Sequence, residues 1–247
     1  MELDLVGKVA VVTGSAGSIG ARIVMRLAEE GCDVAAMDFV PPDESLERAI
    51  SAHGRRSLGL RCDLTQPSGV EAAVRRVLDA FGGIDILING AGVISLGEIE
   101  EFDAAEWDRV VGVNLKSAFV CSRAVIPHLK ARRAGKIVNV ASALGHTPVP
   151  AAGPYAAAAA GVIALGRTLA LELGSHRINV NTVAPGLVNG DSVPWHLAFT
   201  TWGLPGSDVK RAGLPDDVAK VVVFLASSAF DYVTGQTIFV NSGALMP

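Results

Sequence analysis

Residues 8–30, KVAVVTGSAGSIGARIVMRLAEE, decide the fold. Residues 8–13 are a continuous β-rich run, Gly14-Ser15-Ala16-Gly17-Ser18-Ile19-Gly20 is a glycine turn, and residues 21–30 carry the apolar spacing of an amphipathic helix. In that order the glycines let a backbone pass close to a pyrophosphate, while the helix N-terminus supplies N–H donors and the positive end of a dipole. Without its neighbours such a turn is only a tight βα connection; between a strand and a helix it points to a dinucleotide.

The same alternation continues along the chain. Strand-like runs recur at Asp33–Asp38, Ser57–Arg61, 84–88, 136–141, 177–183 and Thr237–Val240. Helical stretches lie between them, including 70–81, a long stretch over 105–133 interrupted near Pro127, an Ala-rich helix over 154–173, and 216–226. Seven strands with intervening helices predict an α/β fold, a single Rossmann-type doubly wound parallel sheet with helices on both faces. With 247 residues, 50% of them hydrophobic and 19% charged, the chain suits one domain over 1–247, with neither repeats nor a linker.

Asp38 lies 18 residues beyond Gly20, where a carboxylate accepts hydrogen bonds from both hydroxyls of an adenosine ribose. That favours NAD over NADP, because Asp38 repels a 2′-phosphate and no Arg or Lys stands in the glycine loop or at Phe39 to attract one. The competing reading is a strand-end Asp that caps the next turn.

Further on, a serine closes the hydrophobic run Ile137, Val138, Asn139 and Val140, and a Gly/Pro-rich loop leads to Tyr155 at the start of the Ala-rich helix. Ser142 and Tyr155 hydroxyls so placed can both reach one carbonyl oxygen. Here the sequence resembles the short-chain dehydrogenase/reductase family, in which such a serine is followed after about a dozen residues by Tyr-x-x-x-Lys. The chain departs from that pattern at one point, since the residue four beyond Tyr155 is Ala159.

The resemblance covers essentially the whole chain and implies further roles. Asp63-Leu64 matches the adenine-contacting acid and its neighbour, although Asp-Leu-Thr is also a helix-entry cap. Asn89-Gly90-Ala91-Gly92 resembles the family's Asn-Asn-Ala-Gly, which supports the sheet and flanks the cofactor. Asn114 matches the helix Asn of the proton relay. Pro185-Gly186 with Val188 matches the turn at the nicotinamide end, with Gly190 where a Thr is usual and Ser192 as a nearby hydroxyl. Ser18 replaces the middle glycine of the family's loop. The resemblance also places a substrate lid near 190–212, where Trp195, Phe199 and Trp202 suggest an apolar or ring-bearing substrate, the competing reading being packing against a neighbouring subunit, and where His196 reads as a lid or surface residue rather than a catalytic base. It further implies a homotetramer.

In the family site a lysine at position 159 favours the phenolate of the tyrosine and holds the nicotinamide ribose; alanine does neither. Three function classes stay open: an NAD(H)-dependent alcohol dehydrogenase or ketone reductase scaffold impaired by Ala159, a silent binding protein for dinucleotide or a small ligand, and a non-redox lyase using Tyr155. Two origins of Ala159 compete, a natural change of reaction and a deliberate truncation.

Composition narrows the partners. A net charge of -4 without a basic patch argues against nucleic acid. The acidic start MELDLVGKVAVV lacks the basic n-region of a signal peptide, and no apolar run approaches membrane-spanning length. Cys32, Cys62 and Cys121 are scattered without metal-ligand spacing, so a cytoplasmic protein with buried thiols and no metal is expected.

Overall fold

A computed structural model describes residues 2–40, 43–190 and 211–244. The lid residues Ser192, Trp195, His196, Phe199 and Trp202 lie outside the described residues.

Seven strands, β1 (Val9–Thr13), β2 (Asp33–Asp38), β3 (Ser57–Arg61), β4 (Ile86–Asn89), β5 (Gly135–Val140), β6 (Ile178–Pro185) and β7 (Thr237–Val240), form one sheet in the order β3-β2-β1-β4-β5-β6-β7. Every pairing is parallel. Parallel strands need crossover helices, which cover both faces of the sheet, and all five residues of β1 are accordingly buried. One apolar layer packs Val11, Met37, Leu87 and Ile137 against Val74, Val125 and Leu169; the other packs Val12, Val34, Ile88 and Val183 against Ile23, Leu27 and Val222.

Among the described residues the longer helices are α1 (Ser18–Glu29), α2 (Glu44–Ala52), α3 (Pro67–Phe81), α4 (Ala104–Val111), α5 (Ser117–Arg132), α6 (Gly153–Leu173) and α7 (Pro215–Ala226). Helix α1 starts three residues before its apolar stripe, within the glycine turn, because Gly17 in an extended conformation already caps it. Helix α3 likewise starts early, since Pro67 suits the first turn, where no intrahelical N–H bond is needed.

One expectation is corrected. The interruption in 105–133 is not at Pro127, which lies inside α5, but at a π-helical turn over Gly112–Lys116. Such a turn inserts a residue into the helical ladder, and this one contains Asn114. A second correction concerns apolar length: Ala104–Arg132 and Gly153–His176 are long and apolar enough to cross a membrane by length and composition. Both contain α/β core helices whose apolar side chains join the layer against the sheet.

The order of strands reverses direction between β1 and β4. Crossovers from the two halves diverge there, and a crevice opens at the carboxyl ends of the strands. Register aligns those ends: Thr13 pairs with Met37 and Asn89, Asn89 with Asn139, Val140 with Val183, and Pro185 with Val240.

Candidate active site

At this edge lies a cleft of 1320 Å³. Its first wall is the glycine turn. Gly14 has φ +72°, and a Cβ there would collide with the Gly90 carbonyl and Ala91; a Cβ on Gly20 would collide with the Gly14 carbonyl. Only glycine permits this close stacking of turn, helix and β4 loop. The first turn of α1 has no side-chain cap, so its N–H groups are left for a ligand. Shape and donors together fit a dinucleotide pyrophosphate.

Asp38 stands at the end of β2 and also lines the cleft. Its Oδ2 accepts the Ala16 N–H at 2.9 Å and its Oδ1 the Val40 N–H at 3.3 Å, so the carboxylate ties the strand end to the glycine turn. Each oxygen keeps a further lone pair for a ribose hydroxyl. Asp38 is thus a strand-end cap whose carboxylate also lines the cleft. Asp63 also lines the cleft while its Oδ1 accepts the Thr65 N–H at 3.0 Å and the Thr65 hydroxyl at 2.7 Å.

Ser18 and Gly190 explain each other. A Cβ on Gly190 would lie 2.5 Å from Ser18 Oγ, so the hydroxyl contributed by one wall fills the space that a side chain on the opposite wall would take. The two departures from the family pattern thus face each other across the cleft.

Beneath the cleft, buried polar groups lock the strand ends. Asn89 Nδ2 donates to Asn139 Oδ1 at 2.8 Å and to Ser122 Oγ at 3.0 Å, joining β4, β5 and α5. Thr13 Oγ1 accepts the Gly90 N–H at 3.0 Å and donates to the Ile88 carbonyl at 3.2 Å, joining β1 to β4. A side chain at Gly90 would press on the Thr13 carbonyl at 2.8 Å, which accounts for glycine there.

The reactive end is built by β5 and α6. Ser142 is buried at the end of β5, caps a short turn over Ala143–Gly145, and accepts the Leu144 N–H at 3.2 Å. Its hydroxyl and the Tyr155 phenol line the same cleft, and Ser142 acts on the phenol to favour its ionised form. Burial pushes the Tyr155 phenol above its ordinary pKa, and the neighbouring Ser142 hydroxyl recovers only part of that rise. Among the described residues no cation acts on this phenol. Ala159, one helical turn beyond Tyr155, is buried and lines the same cleft. Gly145 packs on it so closely that a Cβ would meet the Ala159 carbonyl carbon at 2.7 Å.

Asn114 is a clamp in this structure. Its Nδ2 donates to the carbonyls of Val93 and Val110, both at 2.8 Å, and its Oδ1 accepts the Val93 N–H at 3.2 Å. The π turn carries the side chain inward to hold the loop after β4 at the cleft wall.

The cleft thus brings together every described residue singled out in the sequence except Ser15 and Asn89, which are buried beneath its wall. Sequence reasoning missed Ile94, Leu144 and Thr147 of the loops after β4 and β5, and Asn241, Ser242 and Ala244 after β7. The last three are brought in by the position of β7 at the same sheet edge. Among the described residues there is no group of three or more metal-ligating side chains.

A family model described as enoyl-(acyl carrier protein) reductase matches residues 14–244. The 2-dehydro-3-deoxy-D-gluconate 5-dehydrogenase of Escherichia coli (strain K12) is 41% identical over 249 residues, covering 98% of this chain and 97% of that protein. The 3-oxoacyl-(acyl-carrier-protein) reductase FabG of Staphylococcus epidermidis is 37% identical over 242 residues, covering 97% of this chain and 99% of that protein. A solved structure described as a short-chain alcohol dehydrogenase of Sinorhizobium meliloti 1021 superposes with a TM-score of 0.91 at 32% identity, covering 99% of this chain and 98% of that one.

Proposed function

Since the chain belongs to the short-chain dehydrogenase/reductase family, we propose that it is an NAD(H)-dependent oxidoreductase scaffold for interconverting a secondary alcohol and a ketone, strongly impaired by Ala159. The observation that carries this reading is that Ser142 and Tyr155 line one cleft with the glycine turn and Asp38. That the relatives are dehydrogenases and reductases supports the redox class.

The residues divide the work. Asp38 would hold the adenosine ribose, and the N–H groups of the first turn of α1 would hold the pyrophosphate. Pro185, Gly186 and Val188 line the far end of the cleft, where they would flank the nicotinamide. A bound nicotinamide would accept or donate the hydride. Ser142 would fix the substrate oxygen beside the Tyr155 phenol, and Tyr155 would take the hydroxyl proton in oxidation or return it in reduction. For oxidation Tyr155 has to be phenolate, a form that burial disfavours and that no charged neighbour among the described residues restores.

The silent dinucleotide-binding protein is the second reading, favoured by Ala159 alone. We assign the chain to the cytoplasm and to a homotetramer. The functional proposal is tested by screening the Ala159→Lys chain against ring and aliphatic alcohols with NAD+. Turnover with formation of NADH supports the dehydrogenase scaffold. A folded, NADH-binding variant that converts no alcohol or ketone would leave the silent reading.

A further inference from the structure

Beside the wall of the cleft that carries Asp38, two opposite charges are neighbours and do not pair: Asp38 lines the cleft, and Arg61 stands next to it outside that lining. Asp38 and Arg61 are register partners at the ends of β2 and β3. Partners on neighbouring parallel strands are about 4.8 Å apart and project to the same face of the sheet. An ion pair would be the ordinary outcome. Instead, both Asp38 oxygens are directed at backbone N–H groups of Ala16 and Val40. The Arg61 guanidinium lies over the ring of Phe39, 5.6 Å from its centroid. Phe39 is 61% exposed and lines the cleft next to Asp38. Among the described residues Arg61 has no carboxylate partner. The stacked guanidinium has lost part of its freedom to the ring but keeps its N–H donors unassigned, the arrangement in which arginine reads phosphates.

We infer that Arg61, shelved on Phe39, is a second determinant of cofactor choice: a positioned cation for a ribose 2′-phosphate, kept from use by the Asp38 carboxylate alone. The inference rests on the reading of this cleft as a dinucleotide site and goes beyond it in one respect. Rejection of NADP(H) comes from one carboxylate acting against a cation already in place, so removing that carboxylate should reverse the preference without any arginine being introduced.

The test is binding, which does not depend on turnover. NADH and NADPH are titrated by nicotinamide fluorescence, and 2′,5′-ADP and 5′-ADP by calorimetry, against the unsubstituted chain, Asp38→Asn, Asp38→Ser, Arg61→Ala and the double variant Asp38→Asn/Arg61→Ala. Asparagine keeps the shape and one acceptor of Asp38, and serine is the second variant should asparagine disturb the turn. The unsubstituted chain is expected to prefer NADH. Either Asp38 variant should bind NADPH and 2′,5′-ADP about tenfold or more tighter than the parent does, in a salt-sensitive manner, as expected for charge-assisted contacts to phosphate. Adding Arg61→Ala should remove that gain, while the same change in the parent alters the NADPH affinity far less. If an Asp38 variant gains NADPH affinity and keeps it without Arg61, the inference is overturned while the NAD reading stands. If neither Asp38 variant gains affinity although the parent binds NADH, the inference is equally overturned. A parent that binds no dinucleotide overturns both.

Discussion

Replacing Ala159 by lysine should restore proton transfer, and the size of the effect follows from the helix. Positions four apart on a helix lie on one face with Cβ atoms about 5–6 Å apart. Tyr155 is held above the ordinary tyrosine pKa by burial, so at neutral pH fewer than about one molecule in a thousand is phenolate. A unit positive charge about 6 Å away, at an effective dielectric constant of about 20, favours the phenolate by about 3 kcal/mol, which lowers the pKa by about two. The phenolate fraction at neutral pH then rises about a hundredfold, and positioning of the substrate and ribose brings the expected gain in turnover to about 10²–10⁴-fold. The assay is NADH formation from a responsive alcohol between about pH 6 and pH 10. In the parent, residual activity should climb toward the alkaline limit. In Ala159→Lys the climb should occur about two pH units lower, and Tyr155→Phe in the same chain should abolish the gain. A gain that survives loss of the phenol, or a folded and NADH-binding lysine variant whose profile matches the parent, would refute the reasoning.

Other consequences are equally accessible. Gly190→Thr alone should weaken NADH binding, because its Cβ displaces the Ser18 hydroxyl, and Ser18→Gly in the same chain should restore it; additive losses in a fluorescence titration would contradict the pairing. Asn89→Ala should cost about 2–3 kcal/mol in urea denaturation, since it leaves the buried Asn139 carbonyl oxygen without its donor and loosens the edge that carries Gly90. Burial pushes the Cys32 and Cys121 thiols up to about 12, above the ordinary value they regain on unfolding. The unfolded chain therefore loses these protons first, and stability present below about pH 8.5 should fall by about 1.4 kcal/mol per pH unit per thiol as the pH rises toward 12. Denaturation midpoints across that window check it, and Cys32→Ala should flatten the slope.

Much of this architecture is written locally. A residue such as Val12 or Val34 that is buried on a parallel strand needs only apolar neighbours in sequence to declare itself, and the runs at Asp33–Asp38 and Ser57–Arg61 coincide with the strands observed. The Gly14–Gly20 turn and the Ser142/Tyr155 pair are legible for a related reason: each is a short motif whose chemistry demands particular residue types. What sequence reasoning missed depends on the third dimension. The π turn at Asn114 is set by the loop it clamps, and helical periodicity placed the break at Pro127 instead. Asn89 faces the Asn139 amide rather than the cleft because register brings β4 and β5 side by side. Ser18 and Gly190 look like two separate departures until the opposite walls meet. Arg61 is invisible to a search of the glycine loop and position 39 because only the pairing of β2 with β3 sets it beside Asp38 and Phe39.

The central claim is that this cleft holds NAD(H) and lacks only the lysine. Its most direct test is a fluorescence titration of the unsubstituted chain with NADH and NADPH, followed by the same titration of Asp38→Ala. The account predicts saturable NADH binding, weaker NADPH binding, and a loss of NADH affinity of about tenfold in the variant, the size expected for hydrogen bonds to a charged acceptor. Absence of NADH binding to the folded parent, or NADPH bound as tightly as NADH, would contradict it.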